Sequence, residues 1–265
     1  MKTSYHCHSV LSDGENSIVE MVNSAIEHKI DVFGISDHYV LRPDHNDVWW
    51  SLKLDGLDDY VNAVLAIKEK YKDKIDIKLG LEADYFSETV DELKEIISKY
   101  NFDYVIGSIH FLDGFNVDES KENWDNLSED KRNECMKDYW GKVADMANSK
   151  AFDFAGHLDL YKKFGYHPTV DLTKEMQNAF NAIADVKLPI ELNTSGWYKE
   201  CLEQYPSMYV LKECFNRDID IVVTADAHNI KHVDRDYDRA FKMLSDIGYT
   251  EVCTWNNREM MKIKF

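Results

Sequence analysis

Two histidines stand one residue apart in "YHCHS", His6 and His8, and an aspartate, Asp13, follows five residues later in "LSDG". Residues i and i+2 of a β-strand share a face, so His6 and His8 project together while Cys7 points away. On an outward face the pair is a polar strand wetted by solvent; on an inward face it is two corners of a metal site. The pair alone does not choose between them, but the rest of the chain adds weight. Asp37 and His38, Glu82, His110, His157 with Asp159, Asn193, and Asp226 with His228 each stand where a short apolar run gives out. Imidazoles and carboxylates without thiolates suit Zn, Mn or Fe, and a carboxylate can bridge two ions. Any one of these histidines could be hydrogen-bonded on its own within a core. Six uncharged imidazoles converging without a metal would need six separate sets of partners, so the series reads as a multinuclear metal site.

The elements that carry these residues alternate along the whole chain. Strand-like runs such as "DVFGIS", "KIDIKLGLEADY", "FDYVIGSIHF", "FDFAGH", "LPIELNTS" and "IDIVVTADAH" are separated by amphipathic stretches. Helices are expected near residues 16–28, 57–71, 89–100, 129–147, 174–186, 207–216 and 234–247, with "EVCTW" as a last short strand. Apolar runs bounded by turns and separated by helices indicate an α/β fold of parallel strands covered by helices. Seven or eight such units over 265 residues read as a β/α barrel, with an open sheet as the alternative. In a barrel the C-terminal rim carries the chemistry, and that is where the metal-type residues fall. No Gly/Ser/Pro linker divides the chain, so one domain, 1–265, is expected.

Composition narrows the partners. A hydrophobic content of 44% supports a packed core. Against 49 acidic residues there are only 31 Lys and Arg, a net charge of -18, which argues against nucleic acid as partner. The five cysteines are scattered without a C-x-x-C pair and read as free thiols in a reducing compartment. "MKTSYHCHSV" has no apolar signal run and nothing approaches a membrane span, so the chain reads as soluble and cytoplasmic, without a membrane partner. Of the other histidines, His28 suits a helix C-terminus, His232 opens the last helix facing solvent, and His45 and His167 lie in loops, open to solvent.

"HCHS…SDG", "ISDH", "GLEADY", "IGSIHF", "GHLDL" and "TADAH", in this order, resemble the PHP (polymerase and histidinol phosphatase) superfamily over nearly the whole chain. "GLEADYF", "FDFAGHLDLYKKFG" and "IELNTSGWYK" resemble its monofunctional histidinol-phosphatase branch. The resemblance implies a distorted seven-stranded β/α barrel holding three divalent metal ions, Zn, Mn or Fe. It implies that His6, His8, Glu82 and Asp226 hold the first ion, that Glu82 bridges to a second completed by His110 and His157, and that Asp13, His38 and His228 hold the third. A hydroxide between two ions at Glu82 would attack the phosphorus of a small monoester. Asp37 and Asp159, beside ligands, would either orient them or cap loop backbone. Where the branch often carries phosphate-clamping arginines, this chain has Lys162, Lys163, Tyr198 and Lys199. Lysine binds phosphate as a point charge without the guanidinium fork, and Arg42 is the candidate to supply it. Arg42 lies in 41–57, which carries Trp49 and Trp50 and reads as a lid or a packed surface loop. The implied activity is hydrolysis of L-histidinol phosphate in histidine biosynthesis. The alternatives are a PHP phosphoesterase acting on nucleotides or another small ester, and a non-catalytic metal-binding module.

Overall fold

The computed structural model describes residues 1–265. Its centre is a ring of seven parallel strand segments. The first is β1 (Thr3–Ser4). The second is broken into β2 (Val32–Ile35) and β3 (His38–Tyr39), and the third into β4 (Asp76–Leu79) and β5 (Glu82–Asp84). The fourth is β6 (Ile106–Ser108), which is followed by a small hairpin of β7 (Phe111–Leu112) and β8 (Phe115–Asn116). The remaining three are β9 (Phe154–Ala155), β10 (Ile190–Asn193) and β11 (Ile221–Thr224). Pairing runs β1–β2–β4 on one side and β3–β5–β6–β9–β10–β11 on the other. Closure comes at the C-terminal ends of the first and last segments. There His8 N–H donates to Ala227 O at 2.9 Å, and Ala227 N–H donates to His6 O at 3.0 Å. The sheet is thus a closed, distorted barrel of seven segments, and the open-sheet alternative falls.

Around the ring lie α1 (Ile18–Glu27), α2 (Leu57–Tyr71), α3 (Val90–Ile97), α4 (Lys121–Asp125), α5 (Glu129–Ser149), α6 (Thr173–Val186), α7 (Met208–Phe215) and α8 (Tyr237–Ile247). Local chemistry sets several of the boundaries. Ser17 caps α1 in a reciprocal capping box with Glu20, and Ser128 and Ser207 cap α5 and α7. The expected helices match to within about a turn. Two stretches differ. The segment after the fourth strand, expected to run straight into a helix, first forms the β7–β8 hairpin and α4. The chain also ends in a hairpin of β12 (Glu251–Asn256) and β13 (Glu259–Lys264), of which only the first arm was expected.

Alternation along the strands separates two apolar layers. Phe33, Ile35, Ile77, Leu79, Ile190, Leu192, Ile221 and Val223 join the helices in one large core, and Cys7 belongs to it, on the barrel exterior as expected. Tyr5, Val32, Tyr104, Ile106, Phe154 and Val222 form a second cluster inside the ring, closed from below by Trp255 of the terminal hairpin. Two glycines make room for it: a Cβ on Gly34 would lie 2.0 Å from the Tyr104 hydroxyl, and one on Gly80 would lie 2.1 Å from its ring. The interior therefore has an aromatic floor, and everything polar stands above it.

Candidate metal centre

Above the floor, the same period-two alternation selects what points inward. On β5 it is Glu82 and Asp84, on β10 Glu191 and Asn193, and Ser108 and Thr224 end β6 and β11 on the same face. His6 and His8 are fully buried, which removes the solvent-facing reading of the opening motif.

Glu82 is the hub. Its Oε2 lies 3.2 Å from His6 Nε2, 3.5 Å from His8 Nε2 and 2.7 Å from His38 Nδ1. Its Oε1 lies 3.0 Å from His157 Nε2 and 3.8 Å from His110 Nε2. Asp226 Oδ1 closes the first group, 3.3 Å from His8 Nε2 and 3.6 Å from His6 Nε2. Asp13 Oδ1 sits 3.5 Å from His38 Nε2 and 3.2 Å from His228 Nε2. The nine expected ligand side chains are therefore brought together, in overlapping groups whose donor atoms lie within 4.8 Å of one another. His6 Nε2, His8 Nε2, Asp13 Oδ1 and Glu82 Oε2 are buried yet make no hydrogen bond of acceptable geometry. Buried polar atoms are ordinarily satisfied, so orphans converging from the ends of the first and third strand segments fit divalent cations with nitrogen and oxygen ligands.

Behind the ligands stand residues that strand-end reading missed. Glu191 Oε1 accepts from His6 Nδ1 at 2.6 Å and from the Thr224 hydroxyl at 2.5 Å. Its Oε2 accepts from His157 N–H at 2.7 Å and from Asn193 Nδ2 at 3.1 Å. Burial raises the Glu191 pKa, but the charge and hydrogen bond of His6 outweigh it and hold the carboxylate below its usual range. Asp84 Oδ1 accepts from His110 Nδ1 at 2.8 Å. Burial pushes His110 down, while Asp84 leads the carboxylates that lift it to about 10. The Ser108 hydroxyl donates to Glu82 Oε1 at 2.6 Å. The sequence did hold a signal for two of these: Asp84 and Glu191 lie two residues from Glu82 and Asn193, and so on the same strand face.

For Asp37 and Asp159 the loop-capping alternative is the one observed, while the expectations for Lys162 and Arg42 are corrected. Asp37 contacts no imidazole; it accepts from Ser9 N–H at 2.6 Å, Ser9 Oγ at 2.7 Å and Ser12 Oγ at 2.5 Å, tying down the loop before Asp13. Asp159 accepts from Ser207 N–H at 2.8 Å, ahead of α7, and pairs with Lys162 at 3.1 Å. Lys162 is buried against Glu203 at 2.7 Å and the Gln204 carbonyl at 2.8 Å, away from the cavity. Arg42 pairs with Asp44 at 3.0 Å and lies over Phe111, also outside it. Within 41–57, Val48 is buried with Val40, Phe86 and Phe111. Trp50 packs edge-on to His38 at 4.7 Å, while Trp49 is 86% exposed at the mouth.

The cavity above the ligands measures about 540 Å³, within the ordinary range for small-molecule sites. Lys163, Tyr198 and Lys199 line it as expected, joined by His232 and Arg235, which were not anticipated there. His232 sits in a 3₁₀ turn ahead of α8 rather than opening that helix to solvent. His28 caps α1 and pairs with Asp234 at 2.7 Å; His45 pairs with Glu92 at 3.0 Å at the surface, and His167 is exposed. All five cysteines are free, and no helix is long and apolar enough to cross a membrane.

Comparison with known proteins agrees with this geometry. The family model described as "PHP domain" matches residues 4–195. A Deinococcus radiodurans protein named "Probable histidinol-phosphatase" is 31% identical over 91% of this chain and 91% of its own. A Lactococcus lactis "Histidinol-phosphatase" is 24% identical over 99% of this chain and 97% of its own. The crystal structure of the Lactococcus lactis histidinol phosphate phosphatase, complexed with Zn, L-histidinol and phosphate, superposes with a TM-score of 0.83. It is 22% identical and covers 98% of both chains, a likeness of fold. With the family model spanning most of the barrel and its rim motifs, this chain belongs to the PHP domain family.

Proposed function

We propose that this chain is a single-domain, metal-dependent phosphatase that hydrolyses L-histidinol phosphate to L-histidinol and phosphate. The observation that carries the reading is Glu82, a fully buried carboxylate facing five imidazoles with atoms on both sides left without hydrogen bonds. His6, His8, Glu82 and Asp226 would hold one divalent ion, Glu82, His110 and His157 a second, and Asp13, His38 and His228 a third. Bound there, such ions acidify water to a nucleophile at neutral pH and neutralise charge on phosphoryl oxygens. Glu191 and Asp84 turn the imidazoles of His6 and His110 so that each offers Nε2 to the centre. Lys163 and Lys199 stand on the cavity wall, where an anionic ester would enter.

The mouth suits the proposed leaving group, an amino alcohol that carries an imidazole ring. It combines the exposed Trp49 with Glu15 and Glu119, a stacking surface beside carboxylates for a cation. The relatives carry histidinol-phosphatase names over nearly their full length, which supports the same substrate here.

The test is phosphate release by metal-reconstituted protein against a panel of monoesters, with bis-nitrophenyl phosphate as the diester control. Histidinol phosphate should exceed unrelated monoesters in kcat/KM by at least about tenfold. Equal rates across the panel would remove the specific substrate and leave the phosphatase class. Preference for the diester would favour action on nucleic-acid ends. No bound metal by elemental analysis, with no turnover after adding Mn or Zn, would leave only a binding module.

A further inference from the structure

Beyond the ligands, the cavity wall gathers three basic side chains in a strongly acidic protein: Lys163, Lys199 and Arg235 face the same space, together with Glu15, Asp118 and Glu119. They are not equally free. Lys163 Nζ is held by the Asp118 carbonyl at 2.7 Å and its carboxylate at 3.1 Å. Arg235 forms no salt bridge, although acidic residues outnumber basic ones and Asp234 and Asp236 flank it. Asp234 takes Lys2 and His28 instead, and Asp236 accepts from the Tyr198 hydroxyl at 2.6 Å.

Arg235 is nonetheless held in place. Its carbonyl accepts from Thr194 Oγ1 at 2.8 Å, its N–H donates to His232 O at 3.2 Å, and its guanidinium carbon lies over the Tyr198 ring, 4.0 Å from the centroid. Its Nε is buried without a hydrogen-bond partner. A planar five-donor group, held over an aromatic ring, with its Nε unpaired and bordering a cavity large enough for a phosphate ester, is preorganised for a tetrahedral oxyanion.

We propose that Arg235 is the two-pronged phosphate clamp of this site, gripping the phosphoryl oxygens turned away from the metal ligands, with Lys199 beside it. The inference rests on the proposed phosphatase reading. The loop after β11 thereby provides the fork that Arg42, paired with Asp44, does not bring to the cavity. Tyr198 acts as its platform and draws off the competing carboxylate of Asp236.

Calorimetric titration of the metal-loaded holoenzyme with inorganic phosphate tests this directly, alongside kcat and KM for histidinol phosphate. Arg235→Ala should weaken phosphate about 10- to 100-fold at unchanged metal content, the usual effect of losing charge-assisted hydrogen bonds. Arg235→Lys, which keeps charge and bulk but lacks the fork, should recover only part of the affinity. Millimolar guanidinium should partly restore turnover by Arg235→Ala. Arg42→Ala should stay within twofold of the parent. Phosphate affinity within twofold of the parent for both Arg235 variants, at equal metal content, overturns the clamp. Arg235-dependent phosphate affinity without turnover of histidinol phosphate supports the clamp and overturns the substrate proposal instead.

Discussion

Glu191→Gln is the sharpest probe of the centre, because it changes one oxygen to an amide nitrogen and little else. The parent carboxylate accepts from four donors: His6 Nδ1 and Thr224 Oγ1 on one oxygen, His157 N–H and Asn193 Nδ2 on the other. A glutamine amide must point its NH₂ at one of these pairs. Pointed at the His157 backbone N–H and the Asn193 amide, it sets donor against donor. Leaving a buried donor unpaired costs about 1–3 kcal/mol. Pointed at His6 and Thr224, it can be accommodated, since the hydroxyl rotates and the imidazole can accept on Nδ1. His6 then carries its proton on Nε2, the atom 3.2 Å from Glu82 that is offered to metal. The cheaper arrangement therefore disables a ligand. Loss of such a ligand-orienting partner typically costs 10- to 100-fold in metal affinity, and that is the expected effect. The assay is competition of the metal-free protein for Zn against a fluorescent chelator, with circular dichroism to confirm the fold. Zinc affinity within twofold of the parent, with full activity, would refute the tautomer argument.

Asp84→Asn should act in the same way on His110, held at 2.8 Å, lowering activity about 10- to 100-fold with the fold retained, as read by steady-state kinetics and thermal melting. Lys162→Met should instead strike stability, because it strands the buried Asp159. Breaking a buried pair costs about 3–5 kcal/mol, which denaturant unfolding would register, while KM changes little in the folded fraction. For His110 the sign of the pH effect is set by its pKa, raised to about 10 chiefly by Asp84 against the opposing effect of burial. Its contribution to the metal-free fold is complete below about pH 6.5 and is lost as pH rises towards 10. Melting temperature of the metal-free protein should fall across that window, with a shallower slope in Asp84→Asn. A flat profile in the parent would contradict the pairing.

The metal-type residues were legible because barrel strands end at one rim, so a sparse series in sequence became a cluster in space. Glu191 was less visible, since it lies within its run, and Asp84, the last residue of β5, was passed over for Glu82 two positions before it. Adjacency to a ligand left two roles open, and the structure chooses backbone capping. Asp37 and Asp159 neighbour ligand positions, yet their side chains turn to Ser9 and Ser12 in one case and to Ser207 and Lys162 in the other. A loop residue after a strand inherits no direction from it. Lys162 and Lys163 looked equivalent in "YKKF", but the 3₁₀ turn over Leu160–Phe164 sends one into the structure and the other to the cavity. Arg235 lies beyond the last recognisable motif and reaches the site only through the turn that precedes α8. The β7–β8 hairpin rests on two-residue strands too short to carry a periodic signal.

The aromatic floor has a consequence for traffic. Tyr5, Tyr104, Phe154 and Trp255 pack as a fully buried layer beneath the centre, with Gly34 and Gly80 letting the Tyr104 ring sit close. With the floor closed, the chamber would be a cul-de-sac in which ions, ester, alcohol and phosphate pass on the side lined by Trp49, Lys199 and Arg235. Departure is then ordered, with the last anion to leave acting as a stopper for the ions below it. Saturating phosphate should slow the stripping of metal by a chelator, and Arg235→Ala should relieve that protection.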